Sequence, residues 1–205
     1  MKIVHFILGV LTCALLLGAA TPQELLEVTP DGLTQMLAKP GAEPVGARNP
    51  DVTVVEYFDY NCPYCKTLVP TLKALIAQDP KIAIVYKDWP ILGAVSVYAA
   101  SSALAAGWQG KYLIAHDALM SGPRLVGNDR VDAILQRAGV NMDTLNKDRT
   151  RHAKEIAALL ARNDQEAHAL TLDGTPGLVV GRDLVPGTAD LNYLKQVIAD
   201  SRQGK

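Results

Sequence analysis

Residues 52–58, VTVVEYF, are apolar, β-branched or aromatic on both alternating faces, with only Thr53 and Glu56 breaking the run. A segment without a polar side reads as a central strand covered on both faces. After a short link, Pro63 opens a helical pattern reaching about Gln78, in which Leu68, Leu72, Leu75 and Ile76 share one side. Ile82–Tyr86 is the next strand. Strand, helix and strand within about thirty-five residues make a βαβ unit, whose strands run parallel through a right-handed crossover. The rest of the chain has to be built around that unit.

From Ala94 to about Leu172 the pattern is helical, with alanine-rich runs (98–106 and 156–161) and breaks at Gly107, Gly122-Pro123, Gly127 and Gly139. Roughly four or five helices of ordinary length fit there. Gly177–Val180 and Asp183–Val185 flank a Gly181-Arg182 turn, a hairpin signal. A last helix is expected over Ala189–Ser201, with Leu191, Leu194 and Ile198 inward. The fold class is therefore α/β: a thioredoxin fold with an inserted all-helical domain. Its expected parts are a βαβ half over 44–93, the helical insertion over 94–172 and a ββα half over 173–205. Ahead of these, Thr21-Pro22-Gln23-Glu24 is a capping box. Thr29-Pro30-Asp31 starts a second short helix that Pro40 and Gly41 end. Residues 21–43 thus read as an N-terminal helical arm, open to packing on its own domain or to self-association.

Residues 1–20 read as a secretory signal peptide, with Lys2 as the positive start, an apolar stretch from Ile3 to Leu17 broken by His5, and Gly18-Ala19-Ala20 as a small-residue cleavage site. The stretch is short for a membrane span, so an uncleaved anchor is the lesser reading. Apolar residues make up 49% of the chain and charged residues 20%, enough for a sizeable core. The net charge of −1, without a basic run, argues against nucleic acid as a partner.

Of the three cysteines, Cys13 lies in the apolar stretch and leaves with it, so the mature chain keeps Cys62 and Cys65. A bridge closing so short a loop restrains the unfolded chain little, which makes a purely structural disulfide a poor explanation. Cysteine attacks as the thiolate, and Cys62 sits where the helix begins. Pro63 suits the first helical position, and the free N–H groups there favour a sulfur anion. Cys62 is accordingly expected to be the exposed thiol of low pKa. Cys65, one turn on and buried, is expected to resolve mixed disulfides. Pro63 and Tyr64 between them tune access. Zinc would want four ligands, and the histidines show no ligand spacing. Copper(I) could take the two thiols alone, but no methionine flanks them. The pair is read as a redox-active disulfide, with no organic cofactor and no metal.

The segments VTVVEYFDYNCPYC, KDWPILG and DGTPGLVVGRDLVPG together resemble the DsbA-like branch of the thioredoxin superfamily, and are similar to its exported bacterial Com1/ScsC-like members, over Pro44 to Arg202. The resemblance implies a periplasmic protein-disulfide oxidoreductase. Glu56 stands six residues before Cys62, where the superfamily keeps a buried acid, here able to accept the proton of Cys65. Pro176 after Thr175 matches the family's cis-proline, so the Thr175 backbone is expected to pair with a substrate strand. Pro70 matches the kink of the active-site helix. Trp89-Pro90-Ile91-Leu92-Gly93 matches the bridge into the insertion, with Trp89 read as core. His116, His152 and His168 fall on expected helices and receive no role. Tyr64 and Thr175 depart from the histidine and the bulkier apolar residue of the best-known oxidases, which weighs against strong oxidase behaviour. The implied partners are exported cysteine-containing proteins, a membrane redox partner for recycling, and a second copy of the chain through the arm. Two alternatives stay open: an isomerase or reductase kept reduced by a membrane partner, and a copper-binding periplasmic protein using the same thiols.

Overall fold

The computed structural model describes residues 44–204, so the leader and the arm lie outside the described residues. The first element is one the sequence did not signal. Strand β1, Val45–Gly46, pairs antiparallel with β3 at the sheet edge. Gly46 has φ +113, and a Cβ there would fall 2.6 Å from the Ile82 carbonyl, so only glycine lets this strand close.

The βαβ unit forms as expected. Strand β2 (Val52–Phe58) leads to helix α1 (Pro63–Gln78) and to β3 (Ile82–Asp88), and β2 and β3 pair in parallel from Val52–Ile82 to Phe58–Asp88. β3 runs two residues past the expected Tyr86. Lys87 and Asp88 are charged yet buried, because each finds partners. The Lys87 ammonium lies 3.0 Å from the Glu166 carboxylate, and the Tyr112 hydroxyl donates to Asp88. Pro70 falls inside α1, where it removes one helical donor.

The chain next forms helices α2 (Ala94–Ala106), α3 (Tyr112–Ser121), α4 (Asn128–Arg137), α5 (Met142–Arg151) and α6 (Ala153–Ala169), with a 3-10 turn over Gly107–Gln109. It returns through β4 (Gly177–Val180) and β5 (Asp183–Pro186), an antiparallel hairpin turned at Gly181. The last helix, α7 (Leu191–Arg202), starts two residues later than expected because the Asp190 side chain caps it, accepting from the Tyr193 N–H at 2.9 Å.

The sheet order is β1-β3-β2-β4-β5, and β2 pairs antiparallel with β4. Alternation along β2 assigns its two faces. Val54 and Phe58 belong to a core with Leu68, Leu72 and Leu75 of α1 and with Leu194 and Ile198 of α7. Val55 and Tyr57 belong to a second core with Val85, Val179, Trp89, Ala167 and Leu172. Each fully buried leucine contributes about 1.5–3 kcal/mol. Trp89 is core as read, and its ring N–H donates to Asp164 at 2.9 Å. The βαβ and ββα halves share one sheet, with the helical block entering between them: a thioredoxin fold with a helical insertion.

Candidate active site

Cys62 is the N-cap of α1, with Pro63 at the first helical position. Its sulfur accepts from the Cys65 N–H at 3.4 Å, and its thiol reaches the Thr175 carbonyl at 3.1 Å. The chain crosses from β2 to α1 at the same end of the sheet where β4 begins, which brings residues 62 and 175 together. Thr175–Pro176 is a cis peptide bond.

The expectation that Cys62 is exposed is corrected. Its accessible fraction is 3% and that of Cys65 is 0%. The Cys62 thiol lies 3.1 Å from the Thr175 carbonyl, and the exposed members of the motif are Pro63 and Tyr64, the latter 64% accessible. The two thiols nonetheless differ sharply. The Cys62 pKa falls from 9.0 to about 6, first through the hydrogen bond from the Cys65 side chain, against desolvation, and then through Thr175 and the N–H groups of Cys65 and Tyr64. Burial pushes Cys65 far upward, helped by its bond to Cys62 and by the charge of Glu56.

Glu56 lies on the same face of β2 as Val54 and Phe58, the face that α1 covers, and is 1% exposed. Neither carboxylate oxygen has a hydrogen-bond partner among the described residues. Burial, and secondarily the Cys62 charge, raise its pKa to about 8. A carboxylate so placed binds a proton readily near neutrality.

Three residues that received no role in the sequence hold the motif in place. Asp59, wholly buried, accepts from the Asn61 N–H at 2.7 Å, the Leu92 N–H at 2.8 Å and the Ser96 hydroxyl at 2.7 Å. Asn61 clamps the backbone of Leu125, accepting from its N–H at 2.8 Å and donating to its carbonyl at 3.1 Å. Lys66 donates to the carbonyls of Leu119 at 2.6 Å and Gly122 at 3.1 Å, where α3 ends. These bonds bring the loops of the insertion beside the thiols. On the segments so fastened, Ile91, Leu92 and Val126 are exposed apolar side chains, as is Tyr64 within the motif. Of the histidines, His116 is buried on α3, His168 lies on α6, and His152 falls at the junction of α5 and α6 instead of within a helix.

Residues 53–199 match the DSBA-like thioredoxin domain. A solved thioredoxin-like oxidoreductase from Silicibacter pomeroyi DSS-3 is 38% identical, with a TM-score of 0.79 over 86% of this chain and 99% of that one. The thiol-disulfide exchange protein alpha-DsbA2 from Wolbachia pipientis is 28% identical, with a TM-score of 0.76 over 83% and 94%. A probable disulfide bond formation protein D from Bacillus cereus is 23% identical over 80% of each chain. Two Na(+)/H(+) antiporters, NhaA 1 of Salinispora arenicola and NhaA 3 of Salinispora tropica, also match, and the chain spans 24% and 21% of their lengths.

Proposed function

The chain belongs to the family of DSBA-like thioredoxin domains, and on that premise we propose that it is an exported thiol:disulfide oxidoreductase acting on cysteine-containing exported proteins. The observation that carries this reading is the split between the two thiols. One at a helix start has a pKa drawn down to about 6. The other, one turn later, is buried and driven upward.

In the oxidising direction, a substrate thiolate attacks the Cys62 sulfur of the Cys62–Cys65 disulfide. The S–S bond breaks, and Cys65 leaves with the electron pair and takes a proton from Glu56. A second substrate thiolate then attacks the substrate sulfur of the mixed disulfide, and Cys62 departs as the stabilised thiolate. The substrate loses two electrons and the protein gains them. The pair itself is the redox group, and no cofactor is invoked. Thr175 supports docking of an extended substrate, since its backbone lies against Cys62, in the manner of strand addition. Tyr64, Ile91, Leu92 and Val126 offer apolar surface to unfolded chains.

Export rests on the leader read in residues 1–20, and recycling on a membrane redox partner. Self-association through residues 21–43 is part of the proposal. Light scattering supports it if the mature chain is heavier than one starting at Gly41, and overturns it if both are monomers.

The test of function is trapping in cells. Cys65→Ser should accumulate mixed disulfides between Cys62 and exported proteins, and Cys62→Ser should not. The absence of adducts on both variants would end the oxidoreductase reading.

A further inference from the structure

Asp88 ends β3 on the sheet face that carries Glu56. Glu56 lies opposite Tyr86 in the β2–β3 register, and Phe58 lies opposite Asp88. Asp88 is 2% exposed. Its Oδ2 accepts from the Tyr112 hydroxyl at 2.7 Å, while its Oδ1 is buried without a partner among the described residues. The Tyr60 hydroxyl, 3.4 Å from His116 Nδ1, also faces Asp88. The His116 ring lies against Tyr86, with centroids 4.1 Å apart, and against Phe58 at 4.8 Å. One buried polar cluster therefore fills the space from Glu56's strand neighbour to the half-buried Tyr112. The thiol exchange described above uses none of it.

A second buried carboxyl is costly unless its protonation is used or its charge is well bonded. Asp88 has the Tyr112 hydroxyl at 2.7 Å and the Tyr60 hydroxyl facing it, yet Oδ1 has no partner within hydrogen-bond distance among the described residues, and burial outweighs the two hydroxyls. We propose that Asp88, faced by the Tyr112 and Tyr60 hydroxyls, is a second proton-holding carboxyl of the active site, placed behind Glu56 so that the two titrate together as disulfides are exchanged. The inference rests on the oxidoreductase reading.

In the resolving direction, the Cys65 thiol gives its proton to the Glu56 carboxylate. The Cys65 sulfur bonds Cys62, and the bond from Cys62 to the partner breaks. The partner leaves with the electron pair and is reduced as the cysteine pair is oxidised. Asp88 touches no reacting atom. It acts through Glu56 as a positioning residue, because an ionised Asp88 disfavours a second negative charge nearby and so keeps Glu56 basic. Asp88 is pushed up to about 7 by burial, against the Tyr112 and Tyr60 hydroxyls. The groups facing it are Tyr60 and Asp59 from the link after β2, Tyr112 from α3, and Asn163 from α6, which donates to its backbone carbonyl, while His116 of α3 lies on the far side of Tyr60 as its partner. Burial holds His116 down at about 4, so it stays neutral above pH 5.5.

The mature protein carrying glutathione on Cys62 gives the test, with single-turnover release of glutathione by Cys65 followed from pH 5.5 to 9.5. Asp88→Asn should move the midpoint of the rate profile acidward by about half a pH unit, or roughly threefold in rate at pH 7. His116→Phe, which frees the Tyr60 hydroxyl to donate to Asp88 and so favours its anion, should move it the other way. Profiles of both variants superimposed on the wild type would overturn the proposal. If Asp88→Asn does not fold, carboxyl carbon-13 titration decides between wild type and Glu56→Gln. A shift of the Asp88 midpoint by about half a unit supports the coupling, and an unmoved midpoint refutes it. Failure to form any glutathione adduct on Cys62 would instead end the oxidoreductase reading, leaving the carboxyl titration to decide on Asp88.

Discussion

Cys62 and Glu56 titrate in opposite senses, and each leaves its own mark on stability. The Cys62 pKa falls from 9.0 to about 6 on folding of the reduced chain. A depressed pKa adds stability that is fully present above the unfolded value and is lost as the pH falls through the folded one. Reduced wild type should therefore gain on Cys62→Ser in thermal midpoint as the pH rises from 6 to 9. A constant difference across that range would show that the thiolate is not stabilised. Glu56 is raised from 4.5 to about 8, so its contribution is fully present below pH 4.5 and is lost as the pH rises to 8. Glu56→Gln does not ionise. Its stability relative to wild type should climb between those pH values and level off above them. The same variant should slow attack by Cys65 about 10²-fold, the low end for a lost general base. Unchanged single-turnover kinetics would remove Glu56 from the proton transfer. Burial raises Glu56, whereas Cys62 falls because its hydrogen bonds outweigh its desolvation, and the expected exposure of Cys62 did not hold. The Thr175 carbonyl that covers it comes from a segment 113 positions away, which no local spacing announces.

The insertion is fastened to the active-site helix by side chains that reach backbone atoms. Lys66 bonds carbonyls where α3 ends, and Asn61 clamps Leu125. Lys66→Met should destabilise the protein by about 1–3 kcal/mol, because it strands buried carbonyls. A lower urea midpoint with unchanged slope would be the signature. No change in midpoint would mean that solvent replaces the ammonium freely. The elements themselves were legible. Val52–Phe58 is apolar on both faces, the leucines of α1 recur on one side, and Gly181 marks the hairpin. Each of these is a local signal of period or turn chemistry. β1 was not legible, since two residues carry no period and Gly46 owes its place to the Ile82 carbonyl of another strand. The far end of β3 was misjudged because Lys87 and Asp88 look like a loop until Glu166 and Tyr112 are brought to them. Asp59, Asn61 and Lys66 stood inside the stretch that drew attention first. They passed unnoticed because their partners, the Ser96 hydroxyl apart, are main-chain groups, to which any sequence could belong.

At the scale of the whole molecule, the direction of electron flow follows from how strongly the fold prefers the dithiol. Each unit by which the Cys62 pKa is lowered favours the reduced form by about 1.4 kcal/mol, or roughly 30 mV in a two-electron couple. A pKa of about 6 therefore makes the Cys62–Cys65 disulfide more oxidising than one formed from ordinary thiols. The buried Glu56 works against this, because ionised it opposes the Cys62 thiolate. The two effects oppose each other, so the couple is less oxidising than the Cys62 pKa alone would make it. On the function proposed above, such a couple would hand its disulfide to unfolded substrates whose own bonds are more stable, with a partner to reoxidise it. In cells, thiol trapping of the mature protein should therefore find Cys62 and Cys65 mostly oxidised, turning reduced when the recycling partner is removed. In vitro, Glu56→Gln should shift the glutathione equilibrium further toward the dithiol, since the opposing charge is gone. A pair found mostly reduced in growing cells would reverse the assignment and make the protein an isomerase or reductase. The depressed Cys62 pKa would then serve to keep an attacking thiolate ready for disulfides already formed.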